Sequence, residues 1–352
     1  MKTPLRINSV PVLSVFLLYL ALGDLHAQAL TKIFVASYGN DANDGSRGSP
    51  KRNFQAAHDT VSAGGEVDAL DTAGYGLLTI GKSITITCPP GVTGLITTAA
   101  NGAAAITVNA GGSDTVALRG LTLENTGNSD NGIYVASVGT LNVSDCVIQN
   151  FSFIGLYLIS STPASLLMTR CKVRNCTYTA VVAGSTGVAL TATLESCQFE
   201  SSGAGFTAYL LTKVMAHDCV AAGNLNNGFS LEQGASGVLL ACTAANNKSA
   251  GVAANINGTL TVQGCAIFGN LTGVDAGSGG QITLLNCAVS ANGTAINAGN
   301  NGAAVRFDAC AITDNTTAYA IGNSQSASIS SRGNNTVAHN TNTGSIGTYT
   351  PQ

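Results

Sequence analysis

A cysteine in one fixed setting returns at nearly constant intervals through the middle of this chain. Cys146, Cys171, Cys197, Cys219, Cys242, Cys265, Cys287 and Cys310 are 25, 26, 22, 23, 23, 22 and 23 residues apart. A period of this length belongs to solenoids, propellers and arrays, whose units cannot bury an apolar face alone. The setting says more than the cysteine. Three residues before it stand Val143, Met168, Leu194, Ala216, Leu239, Val262, Leu284 and Phe307. Two residues after it stand Ile148, Val173, Phe199, Ala221, Ala244, Ile267, Val289 and Ile312. All are apolar. The position five before is apolar too, except at Gly237, and "VALRGLTLEN" (116–125) fits the frame with Leu121 in the cysteine's place.

Steps of two mean strand alternation, one side chain in and the next out. The single step of three before each cysteine predicts a corner between two short strands. After the second strand comes Asn, at Asn150, Asn175, Asn224, Asn247, Asn270, Asn292 and Asn315. Asn tolerates left-handed backbone and bonds its own chain, which suits a tight corner. A third apolar segment follows, as in "GIYVAS" and "GLYLIS". Three short strands and three corners describe one turn of a single-stranded parallel β-helix, an all-β solenoid of about 22–26 residues per coil. Coils stacked at the ~4.8 Å strand spacing bury one another's inner faces. Equivalent positions then lie above one another, so the eight cysteines form an interior ladder of small, readily buried side chains. Inter-coil disulfides are the alternative, although parallel side-chain vectors fit their torsion poorly. The spacing lacks C-x-x-C and His partners, so no metal site is expected. Cys88 and Cys176 fall off this ladder.

The first residues carry Lys2 and Arg6, an apolar run from Val12 to Leu22, and Ala27-Gln28-Ala29. That is the order of a signal peptide, and the run is short of the roughly 20 apolar residues of a membrane span. The expected organisation is a signal peptide at 1–29, a cap with a short helix at 30–65, the β-helix at 66–343 and a polar tail at 344–352. The helix is expected over 51–62, with Phe54, Ala57 and Val61 on one face, covering the open edge of the first coil. Only 9% of residues are charged and the net charge is −3. No basic stripe exists to neutralise phosphates, so nucleic acid is not an expected partner.

The stretch "FVASYGNDANDGSRGSPKRNFQAA", followed by coils of the type C-A-I-x-x-N, resembles exported right-handed β-helix proteins of the pectate-lyase-like superfamily. The resemblance implies right-handed winding, in keeping with the hand of parallel crossovers. It also implies where chemistry would be sought. Lyases of this kind bind calcium through clustered carboxylates and use Arg or Lys as base; the related hydrolases use several Asp and a His between glycines. This sequence contains no NTD, DD, GHG or RIK. "DANDG" (41–45) has Gly45 at the fifth position of a calcium loop and no Glu at the twelfth, so it reads as a turn.

One charged cluster remains. Counted from the cysteine, Glu195 and His217 share one position, and Asp145, Arg170, Ser196 and Asp218 share the next. Lys172 and Gln198 follow the cysteine, then Arg174 and Glu200, with Arg174 expected to pair with Glu200. The reading is an exported, non-catalytic β-helix presenting an elongated surface to a polysaccharide or cell-envelope glycan, outside the cell, at its surface or in the periplasm. One alternative is a polysaccharide lyase or glycoside hydrolase acting in a charged groove on coils two to five. His217, Glu195, Arg170 and Asp218 would then be catalytic, and Asp145, Lys172, Arg174 and Glu200 would bind. The other is a purely structural rod or spike. No cofactor is expected, with calcium implied only by the lyase alternative.

Overall fold

A computed structural model of the chain describes residues 31–99, 101–322, 326–344 and 346–348. The segment read as a signal peptide lies outside these residues, as does the end of the tail. The described chain winds through three parallel sheets of 14, 12 and 11 strands, about twelve turns of a β-solenoid. Strands of the first sheet precede the cysteine, for example Thr140–Ser144, Ala164–Thr169, Leu190–Glu195 and Thr212–His217. Strands of the second follow it and are three residues long, such as Val147–Gln149 and Lys172–Arg174. Those of the third run up to seven residues, as in Asn131–Ser137 and Ile154–Ser160. Pairing is in register at the position three before the cysteine, from Val143 through Met168, Leu194, Ala216, Leu239, Val262 and Leu284 to Phe307. Every one of these is buried.

The residue just before each cysteine makes the first corner. Gly120, Asp145, Arg170, Ser196, Asp218, Ala241, Gly264, Asn286 and Ala309 all have φ between 50° and 69°. One left-handed residue reverses the alternation and turns the chain from the first sheet into the second. The turn takes the cysteine N–H out of the ladder, and in three coils the sulfur of the next coil accepts it. Cys197 N donates to Cys219 Sγ at 3.5 Å, Cys242 N to Cys265 Sγ at 3.2 Å, and Cys287 N to Cys310 Sγ at 3.4 Å. The thiols donate in turn to carbonyls of the preceding coil, Cys171 to Val143 at 3.3 Å and Cys287 to Val262 at 3.2 Å. All ten cysteines are buried free thiols.

The second corner differs from the single Asn column expected. Asn150 and Asn175, four residues after their cysteines, do take left-handed φ of 68° and 54° at the surface. In later coils that place passes to Ser201, Gly223, Asn246, Gly269, Ala291 and Asp314. Asn224, Asn247, Asn270, Asn292 and Asn315 stand one residue further on, buried, as a hydrogen-bonded ladder. Each amide donates to the Oδ1 of the next Asn at 2.9–3.0 Å, ending on Asn340. Each backbone N–H donates to the same oxygen at 2.9–3.1 Å. The column continues upward through Ser202 to Cys176, whose N–H donates to Ser202 Oγ at 3.1 Å. Cys176 is therefore stacked in this second column and not an isolated thiol.

The glycines that open several of the third strands follow from this ladder. A Cβ at Gly228 would lie 2.6 Å from Gly251 O and 2.8 Å from the Asn247 amide nitrogen, with the same crowding at Gly251 beside Asn270. At these coils a residue without a side chain lets the strand pass, while further along Ala295 and Ala318 take the equivalent place.

Among the described residues there is one helix, Phe54–Thr60, shorter than the 51–62 expected. Asp41 Oδ1 accepts the N–H groups of Arg52 and Asn53 at 2.9 Å, holding them extended ahead of the first turn. Val61 is extended again at φ −68°, ψ 146°. Phe54, Ala57 and Val61 are buried, and the Phe54 ring lies 4.8 Å from that of Tyr75. Among the described residues no helix is long and apolar enough to cross a membrane.

One half-buried carboxyl weakens its own coil. Asp275 accepts a 2.7 Å hydrogen bond from Asn297, yet burial pushes its pKa up, and Glu232 adds repulsion. A raised folded-state pKa penalises the ionised form, so the cost sets in as pH rises above the unfolded value of about 3.9. Asp275→Asn, which keeps the acceptor oxygen, is expected to raise the denaturation midpoint at pH 7 and leave it unchanged at pH 3. Equal midpoints at pH 7 would remove this account.

Candidate functional site

The left-handed corner residues throw their side chains outward, one above another, and this places the charged cluster. Asp145 and Arg170 meet in a bidentate pair, Nε to Oδ1 at 2.7 Å and Nη2 to Oδ2 at 2.9 Å. This bond holds the Asp145 carboxyl below the usual carboxylate range and the Arg170 guanidinium above its own. Both side chains are about half exposed, so water screens the attraction. One coil further, Ser196 Oγ donates to Asp218 Oδ2 at 3.1 Å.

Around the corner, on the second sheet, the expected pairing is changed. Lys172, not Arg174, binds Glu200, at 2.7 Å. Arg174 is register-paired with Glu200 but turns to the previous coil, donating to Gln149 Oε1 at 3.0 and 2.8 Å. Gln149 and Asn150 both donate to Glu124 Oε1, at 3.1 and 3.0 Å. An arginine has the reach to choose between coils, and the acceptor chain Glu124–Gln149 lies on that side.

Glu195 and His217 are register partners on the exposed edge of the first sheet. No hydrogen bond joins their side chains; Glu195 acts through space on Arg170 instead. Two open depressions lie toward the N-terminal coils and leave both residues out. One, of about 320 Å³, is lined by Arg119, Asn142, Ser144, Asp145, Leu167, Thr169 and Arg170. The second, of about 570 Å³, runs from the Pro89–Thr93 loop to Arg119, Thr122 and Asp145.

Arg119, shared by both depressions, is absent from the candidates drawn from sequence. It stands two residues before Leu121, the place held by Glu195 and His217 in later coils. Extending the frame to the coil without a cysteine finds it. Asp145 is the single carboxylate lining either depression, against two guanidiniums. Asp145 is bound by Arg170, and no second carboxylate lines either depression. Arg119 and the Asp145-bound Arg170 thus stand around an open floor of hydroxyl and amide groups.

A family profile described as "Right handed beta helix region" matches residues 182–342, a little under half of the chain. A search of curated proteins finds no match. Among solved structures, the A-module of the mannuronan C-5 epimerase AlgE4 of Azotobacter vinelandii superposes with a TM-score of 0.68 at 14% identity, covering 82% of this chain and 91% of that one. The AlgE6 A-module of the same organism gives 0.52 at 15% identity, covering 84% and 93%. Pectate lyase Pel9A aligns over 91% of this chain and 78% of its own, at 13% identity and a TM-score of 0.49. At such identities the likeness is one of fold. The three-sheet winding, the stacked corners, the matched region and the likeness to the AlgE4 A-module together make this chain a right-handed parallel β-helix.

Proposed function

We propose that the protein is an exported, non-catalytic β-helix that binds an acidic glycan of a cell envelope or polysaccharide matrix. One observation carries this reading: Arg119 and Arg170 flank an open depression that holds one carboxylate, on a chain with few charges. The residual positive charge suits a uronate carboxylate, and Asn142, Ser144 and Thr169 supply partners for sugar hydroxyls. Lys172, Arg174, Glu200 and Asp218 rim the surface in this reading, bonded to neighbours rather than poised to react. Export rests on the order of charge, apolar run and small residues in 1–29. The helix Phe54–Thr60 is read as the cap closing the first coil, its buried Phe54 and Ala57 covering apolar edges.

The test is binding of polygalacturonate and alginate fragments to the mature protein by calorimetry, beside a depolymerisation screen with and without calcium. Arg119→Ala together with Arg170→Ala is expected to weaken acidic-fragment binding about 30-fold, two charge-assisted contacts at about 1 kcal/mol each. Affinity equal to wild type would refute the site. Cleavage products that disappear in His217→Ala or Glu195→Ala would refute the non-catalytic reading and establish the lyase or hydrolase alternative.

A further inference from the structure

The outer face of the third sheet carries a different chemistry. Tyr134 and Tyr157 occupy one register position and stack at 5.9 Å and 21°. Phe153 and Tyr178, each just ahead of its strand, stack at 5.1 Å and 26°. Tyr134, Phe153 and Tyr178 are exposed, Tyr178 to 58%. An aromatic ring has apolar faces that favour burial, so two stacked pairs of rings at a surface are a feature to explain.

Beyond Tyr178 the row is interrupted at Gly203, where a Cβ would meet Tyr178 O at 2.1 Å. The gap opens into a groove of about 180 Å³ lined by Tyr178, Thr207, Tyr209, Asn227, Ser230 and Glu232. Its floor is made of the buried hydroxyl-bearing residues Thr207 and Ser230. Ser230 Oγ and Asn255 Nδ2 both donate to Glu232 Oε1, at 2.5 and 3.0 Å. Glu232 is thereby held in place while its Oε2 takes neither bond. Asn227 is fixed from behind, its Oδ1 accepting the Ala250 N–H at 3.1 Å.

The geometry points to a second binding site, for a neutral saccharide, in this groove. Tyr178 and Tyr209 both line it, and an aromatic ring is the group that meets the C–H face of a pyranose. Glu232 Oε2 accepts from its hydroxyls and Asn227 donates to them. Its volume is below the roughly 300 Å³ at which drug-sized pockets begin, which matches one sugar ring. The next residue of the chain lies over the Phe153–Tyr178 pair. No cation lines the groove and one carboxylate does, so an acidic sugar is repelled here. This site shares no residue with the Arg119–Arg170 depression and does not rest on it.

The experiment is titration of the mature protein with cellohexaose, xylohexaose, mannohexaose and hexagalacturonate, followed by calorimetry and by saturation-transfer NMR. At least one neutral hexasaccharide is expected to bind. Tyr178→Ala, at an exposed position, is expected to weaken it at least tenfold, and Tyr178→Phe to keep most of the affinity. Glu232→Gln is expected to weaken it about fivefold, and Arg119→Ala with Arg170→Ala to leave it unchanged. Binding of hexagalacturonate alone, binding of none, or wild-type affinity in Tyr178→Ala would overturn the proposal. Loss of acidic-fragment binding in the arginine variant with neutral binding intact keeps the two sites apart.

Discussion

Replacing Asn270 with Ala is expected to lower the stability of the folded coil by about 4 kcal/mol. The Asn270 Oδ1 accepts both the backbone N–H and the side-chain amide of Asn247, at 2.9 Å each. Its own amide donates to Asn292 Oδ1 at 3.0 Å and to Ala244 O at 3.0 Å. Ala removes the acceptor and leaves two donors of Asn247 in a site that is 2% exposed. Each buried orphan costs about 1–3 kcal/mol. A solenoid has only its neighbours to share the loss, because each coil touches the one above and the one below. Asn150→Gly provides the contrast. Asn150 is exposed with φ 68°, so glycine relieves the backbone while giving up bonds shared with water. Its change is expected within about 0.5 kcal/mol. Urea denaturation followed by far-ultraviolet circular dichroism measures both. Comparable losses in the two variants would mean that the residues four and five after the cysteine play one role.

That difference shows how far the fold is legible in sequence. Period, alternation and the step of three are local patterns, and they lead directly to three strands and a corner. Whether an Asn bends the chain or joins a ladder depends on partners 22–26 residues away. The clue was present as an offset, four residues after Cys146 and Cys171 but five after Cys219 and later cysteines. The start of the helix was hidden for the same reason, since it is set by Asp41 from a distant turn.

The charged site was partly legible. A shared position places Asp145 under Arg170, because both side chains leave the backbone at the same left-handed corner. It does not say which coil Arg174 reaches for, since a long side chain spans more than one strand spacing. Phe153 and Tyr178 belong to no strand. Alternation has nothing to say about them, so the aromatic face needed the fold before it was visible.

The stacked thiols yield the second large effect. In the native protein at pH 8, alkylation of the ten cysteines is expected to be about 10³-fold slower, or more, than in the denatured chain. The thiolate is the reacting form, and burial pushes the Cys88 and Cys176 thiols up to about 12. The Cys310 thiol is also raised, by its bond with Cys287 and then by burial. Hydrogen bonds from neighbouring thiols instead pull Cys197 and Cys242 down and leave only burial to protect them. None of the ten is more than 5% exposed, so reagent reaches them only when coils open. An opening cost of about 4–5 kcal/mol, low for a folded domain, already gives that factor. A denatured, unreduced sample read by mass spectrometry is expected to gain ten labels. Fewer labels, missing in pairs, would show inter-coil disulfides in place of the free sulfurs that accept corner N–H groups. Rapid labelling of eight thiols in the native state would be more damaging. It would put those side chains on the outside, and with them the register that lays Asp145 beside Arg170 and Tyr134 beside Tyr157.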